Sequence, residues 1–105
     1  MIVAIEGILE SKAADSVVVK AGGFSLSVFV PTNSLGKMGK NGESVRLNTY
    51  FQVREDGMAL YGFLTHEELD MFRNLINVSG FGPKSAMPLL SAMSVNEIEI
   101  GRAHV

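Results

Sequence analysis

The sequence predicts a β + α chain: five short strands forming a small barrel over residues 1–63, then an all-α segment over residues 64–99. Two observations point to this division. Apolar residues alternate with polar ones through the first segment and recur at helical spacing in the second. The change of period falls just after Phe63. Turn chemistry then places the joints. Gly22-Gly23 and Asp56-Gly57 are hairpin signals, and Gly80, Gly82 and Pro83 separate two helices.

Strands are expected over residues 2–10 and 16–20. Phe24, Leu26, Val28 and Val30 alternate with Ser25, Ser27 and Phe29 until Pro31 ends the run. Val45, Leu47, Thr49, Phe51 and Val53 alternate with Arg46, Asn48, Tyr50, Gln52 and Arg54, and residues 58–63 supply the fifth strand. So many short strands in so short a span fit a closed or partly closed barrel of the oligonucleotide-binding (OB) type. Thr65-His66-Glu67-Glu68 reads as a capping box, and Leu69, Phe72 and Leu75/Ile76 follow down one helical face. A second helix is expected from Pro83 to about Met93. Pro88 falls inside it, where proline costs about 3 kcal/mol, so a kink or a shortened helix is expected. Ser94-Val95-Asn96-Glu97 caps a third helix.

A chain of 105 residues fits one domain, or one small domain and a piece of another. With 47% hydrophobic and 19% charged residues it is globular. No apolar run approaches a membrane span, and Glu6, Glu10 and Lys12 interrupt any signal-peptide core. The absence of cysteine removes disulfides and thiolate metal sites and fits a cytoplasmic protein. His66 and His104 make no metal-ligand cluster, and no triad, zinc pattern or ATP-type phosphate loop is present. No cofactor and no catalytic residue is therefore expected.

The net charge is −2. Acidic and basic side chains balance over residues 1–63. Over residues 64–99, Arg73 and Lys84 stand against Glu67, Glu68, Asp70, Glu97 and Glu99. Any nucleic-acid contact must lean on backbone amides and a few placed cations, not on a broad positive field.

Residues 100–105, Ile-Gly-Arg-Ala-His-Val, break the pattern just after a helix has been capped. Back-translated as ATC GGA AGA GCA CAC GTC, they read as a sequencing-library adapter in frame. The expectation is a non-native tail, with the native sequence ending at Glu99 or one residue earlier. His104 is set aside as a site candidate.

Ser79-Gly80-Phe81-Gly82-Pro83-Lys84 carries the clearest chemistry. Two glycines around one apolar residue allow a tight turn, and Pro83 suits the first position of a helix. The amides near Gly82 then face outward at a helix N-terminus, which attracts anions, and Lys84 adds a point charge. The plain alternative is a helix–turn–helix corner with a glycine cap. The apolar seam of Leu75, Ile76 and Val78 with Ala86, Leu89 and Leu90 favours a DNA-backbone grip of the helix-hairpin-helix type. Glu55 and Asp56 sit at a hairpin tip and, on pattern alone, read as polar turn residues. Tyr50, Phe51, Tyr61 and Phe63 offer a base-stacking face, although aromatics in small barrels are more often core.

Taken together, Val53-Arg54-Glu55-Asp56, Leu60-Tyr61-Gly62-Phe63 and Gly80-Phe81-Gly82-Pro83-Lys84, with Gly7, Gly22-Gly23 and Val30-Pro31, resemble the bacterial Holliday-junction branch-migration family RuvA. The resemblance runs from Met1 to about Glu97. It implies an OB-type barrel followed by a truncated helix-hairpin-helix domain in a non-catalytic, structure-specific DNA-binding subunit. Four-way junction DNA would be its ligand, with a role in recombination and repair. It further implies a homotetramer that works with the RuvB ATPase, through a domain missing here, and with the RuvC resolvase. On this resemblance Glu55 and Asp56 form an acidic pin. Ser79, Gly80, Phe81, Gly82 and Lys84 bind DNA backbone, with Arg54 a further candidate. Ala4, Glu6 and the Ser25-Leu26 pair depart from the family pattern at secondary contacts. The alternative function is a general single-stranded-DNA-binding OB-fold protein.

Overall fold

The computed structural model describes residues 1–80 and 82–93, and of Ser79 the backbone alone. The expected third helix, the tail 100–105 and Phe81 lie outside the described residues.

Strands β1 (Ala4–Lys12), β2 (Ser16–Ala21), β3 (Phe24–Phe29), β4 (Ser44–Arg54) and β5 (Gly57–Phe63) close into a barrel in the order β1-β2-β3-β5-β4. Every pairing is antiparallel except β3 with β5, which meet in parallel at Phe29 and Tyr61. β1 closes the barrel by serving two neighbours. Residues 4–8 pair with β4 and residues 8–12 with β2, with a register irregularity between Leu9 and Ser11. Such a bulge bends a strand and interrupts its alternation. β1 starts and ends two residues later than its hydrophobic pattern indicates.

Leu9, Val17, Val19, Val28, Val30 and Leu47 fill the barrel, each at most 1% exposed. Between β3 and β4 a 3-10 helix, Thr32–Lys37, brings Leu35 and Met38 against this core. Its six residues are too few to show a helical period in the sequence.

Helix α1 (His66–Ser79) starts on the expected capping box. The Glu68 amide donates to Thr65 Oγ1 at 3.2 Å. The Glu68 side chain does more than cap: it is buried, and Ser34 Oγ donates to its Oε2 at 3.4 Å. It therefore ties the start of α1 to the 3-10 helix. Helix α2 (Pro83–Ser91) contains Pro88 and continues three residues past it, ending two residues before the expected Met93. Pro88 has no N–H for the Lys84 carbonyl one turn back, while its own carbonyl still accepts from Ala92 at 3.1 Å.

A second core joins helices to barrel. Tyr61 and Phe63 from β5 pack with Leu69 and Phe72 of α1 and Ala86 and Leu90 of α2. The Tyr61 ring lies 5.5 Å from both Phe29 and Phe72 and 6.4 Å from Tyr50. These helices cover the outer face of β4 and β5, so the in–out alternation fades there. Leu60 faces the barrel core while its neighbours Tyr61 and Phe63 are buried on the opposite side. Polar ties add to the packing: the Thr32 amide donates to Ser91 Oγ at 3.0 Å, and Asn33 Nδ2 to the Met93 carbonyl at 2.9 Å. Among the described residues no helix is long and apolar enough to cross a membrane.

Candidate nucleic-acid interface

Two turns converge on one side of this frame. The first joins β4 to β5. Arg54 and Gly57 face each other across the ladder, so Glu55 and Asp56 form the two-residue turn, one position earlier than the Asp56-Gly57 signal places it. The shift has a backbone cause. Neither acid takes positive φ, and Gly57 does so instead, at 152°, where a side chain would be strained. Glu55 and Asp56 are both exposed. Among the described residues neither has a hydrogen-bond or ion-pair partner.

The second turn joins α1 to α2. Gly80 caps α1 in the left-handed conformation, φ 72° and ψ 8°, its amide donating to the Ile76 carbonyl at 3.2 Å. Only glycine adopts that backbone at little cost. Gly82 is the N-cap of α2 and Pro83 its first residue. The Ser85 and Ala86 amides both turn back to the Gly82 carbonyl, each at 3.1 Å. Proline has no amide, which leaves that of Lys84 among the first-turn donors without an acceptor in its own helix. Lys84 is exposed. Ser79 ends α1, and Phe81 lies outside the described residues.

The structure brings Arg54 to this second turn. Arg54 Nη2 lies 3.8 Å from the point that a Cβ on Gly82 would occupy. Gln52, two residues earlier on the same strand face, steadies it. With its amide oxygen turned to the guanidinium, that oxygen accepts from Arg54 Nε and Nη2, each at 3.2 Å. Sequence reading did not single out Gln52, although its i, i+2 spacing from Arg54 was the available signal.

The two helix starts differ in charge. α1 carries a threonine cap with Glu67 and Glu68 in its first turn, which satisfy its amides and its dipole. α2 has a glycine N-cap with no side-chain cap and no acid in its first turn. Two cations, Arg54 and Lys84, stand at that positive end. Such a place stabilises an anion such as a phosphate.

The stacking face considered from the sequence is not formed. Tyr61 is 2% and Phe63 0% exposed, and Tyr50 and Phe51 are half-buried against the cores. Burial pushes the Tyr61 hydroxyl pKa above its ordinary value, Arg54 pulls it down, and Tyr50 pushes it up. Among the described residues no cluster of histidine and carboxylate side chains could hold a metal ion.

Comparison with known proteins adds the deciding observation: the family model described as RuvA N terminal domain matches residues 1–62. The chain belongs to the RuvA family. Its relatives include "Holliday junction branch migration complex subunit RuvA" of Ruminiclostridium cellulolyticum, 46% identical over 90 residues, covering 86% of this chain and 45% of the relative. The protein of the same name from Thermoanaerobacter sp. (strain X514) is 45% identical over 96 residues, covering 91% and 51%. That from Roseiflexus sp. (strain RS-1) is 43% identical over 103 residues, covering 98% and 52%. The chain spans about half the length of the curated RuvA relatives it matches.

Proposed function

We propose that this chain is the DNA-contacting portion of a Holliday-junction branch-migration subunit. Residues 1–63 serve as the barrel domain and residues 64–99 as the first helix-hairpin-helix of a clamp on duplex arms. The approach of Arg54 to the Gly82 N-cap carries the reading. It puts the acidic turn and the anion-attracting helix start on one face, joined by one residue. A phosphate on an arm is then held by the turn at Ser79, Gly80, Phe81 and Gly82, with Lys84 and Arg54 supplying charge. A strand that advances to Glu55 and Asp56 meets like charge, worth about 1–3 kcal/mol per close pair at intermediate dielectric. Grip on the arm with repulsion at the tip favours a ligand whose strands part at a centre, which a four-way junction provides.

The subunit is non-catalytic in this reading. It works as a homotetramer in the cytoplasm beside the RuvC resolvase and orients the RuvB ATPase, whose contact is made by a segment outside these 105 residues. The names of the relatives support the junction and the complex. The burial of Tyr61 and Phe63 weighs against the single-strand alternative, which needs exposed rings.

A gel-shift comparison of an immobile four-way junction, a duplex and a single strand tests the reading. The junction should bind tightest. Preference for single strand, or equal affinity for all three, would overturn it.

A further inference from the structure

The 3-10 helix Thr32–Lys37 is fastened on two sides. On the barrel side Leu35 and Met38 pack into the first core, and Lys12 Nζ of β1 donates to the Leu35 carbonyl at 2.9 Å. On the other side Thr32, Asn33 and Ser34 reach the helices in succession. The Thr32 amide donates to Ser91 Oγ at the end of α2, and Asn33 Nδ2 to the Met93 carbonyl just beyond it. Ser34 Oγ donates to the buried Glu68 carboxylate at the start of α1. Elsewhere α2 stands off from the barrel. A cleft of about 730 Å³ separates them, with Phe29 and Tyr61 on one wall and Met87 and Pro88 on the other. Ala86 and Leu90 hold α2 to the second core, but apolar packing is non-directional and sets a tilt less sharply than a hydrogen bond does. Asn33 itself points to direction rather than stability. Its Oδ1 is buried with no partner among the described residues, and a half-paired buried amide is a poor stabiliser. Its remaining bond supplies a fixed geometry.

We infer that Thr32, Asn33 and Ser34 form a strut that sets the angle of α2 against the barrel, with Asn33 and Ser91 as its positioning residues. The tied end of α2 is the far one from Lys84. Nine residues of helix span about 13 Å, so a tilt of ~10° about the tied end carries Lys84 by about 2 Å. A hydrogen bond does not survive such a displacement. The strut therefore fixes where Lys84 stands relative to Glu55 and Asp56, which belong to the barrel. The geometry stands on the bonds alone, and only its effect on DNA rests on the junction-binding reading.

The test is a distance measurement between two nitroxide labels by pulsed electron paramagnetic resonance, without DNA. The chain has no cysteine, so Phe24→Cys on the barrel and Ser85→Cys on α2, both exposed, take the labels without background. Asn33→Ala and Ser91→Ala should each broaden or shift the distance distribution. Ser91→Thr, which keeps the acceptor oxygen, should retain the wild-type one. In the unlabelled chain, four-way-junction affinity should fall roughly tenfold in both alanine variants, the loss of one hydrogen bond to a charged group, and hold in Ser91→Thr. Circular dichroism reports whether each variant folds, and Ser91→Ala decides the matter if Asn33→Ala does not. Wild-type distributions in the folded alanine variants would make these bonds plain stabilisers and overturn the strut, whatever the urea midpoints do. So would a distribution in Ser91→Thr as broad as that of Ser91→Ala. A changed distribution with unchanged junction affinity would keep the strut and remove α2 from the DNA contacts instead.

Discussion

At the scale of residues, function turns on a few side chains whose surroundings differ from their sequence neighbourhoods. Lys84 is exposed at a helix start that carries no acid. Lys84→Ala should weaken junction binding and lower the slope of log affinity against log salt by roughly one per protomer engaged, measured by fluorescence anisotropy across salt. An unchanged slope would remove Lys84 from the contacts. Tyr61 makes a pH-dependent contribution. Burial raises its folded pKa above the ordinary value of 10.0, so the fold favours the neutral phenol. That stability is complete below pH 10 and is lost as pH rises through the raised value. Urea midpoints from about pH 9 upward should therefore fall more steeply in wild type than in Tyr61→Phe. Parallel curves would remove Tyr61 as the cause. Glycine roles were readable at this scale where a cap was involved: Gly80 could be assigned from its place after an apolar seam. The nearness of Arg54 to Gly82 was not readable, because it depends on how two distant turns fold together.

Among the elements, the β4–β5 hairpin carries the acidic turn and the β2–β3 hairpin shows how legible such turns are. Gly22-Gly23 gave its turn without error, because Ala21 and Phe24 pair directly across it. Asp56-Gly57 missed by one residue, because both acids keep negative φ and the glycine takes the strained position after them. Two elements escaped pattern reading for physical reasons. The Thr32–Lys37 helix is too short for a period, and β4 loses its alternation where α1 covers its outer face at Tyr50. Replacing Glu55 and Asp56 together by asparagine should leave the hairpin intact, since neither side chain has a partner among the described residues. Junction affinity should hold or rise while strand parting at the centre, read by 2-aminopurine fluorescence there, diminishes. A large loss of affinity would count against the acidic turn as a strand-separating device.

Over the whole molecule, the barrel and the helices share a core. Phe72 is 0% exposed and touches Tyr50, Tyr61 and Phe63 with ring centroids 4.8–5.5 Å apart. Phe72→Ala should cost about 3–5 kcal/mol and shift the urea transitions of helix and barrel equally, as followed by far-ultraviolet circular dichroism and tyrosine fluorescence. Loss of the helical signal alone, with the barrel midpoint unmoved, would refute a shared core. The strand order carries a further consequence, for the time course of folding. β1 can zip onto β2 as soon as both exist, yet its first half waits for β4, whose partner residues 44–48 arrive far later in the chain. On a ribosome the first strand made is therefore among the last to be completed, and closure of the barrel is a non-local, slow step. Until it happens, the unpaired edge of residues 4–8 is open to any other strand within reach.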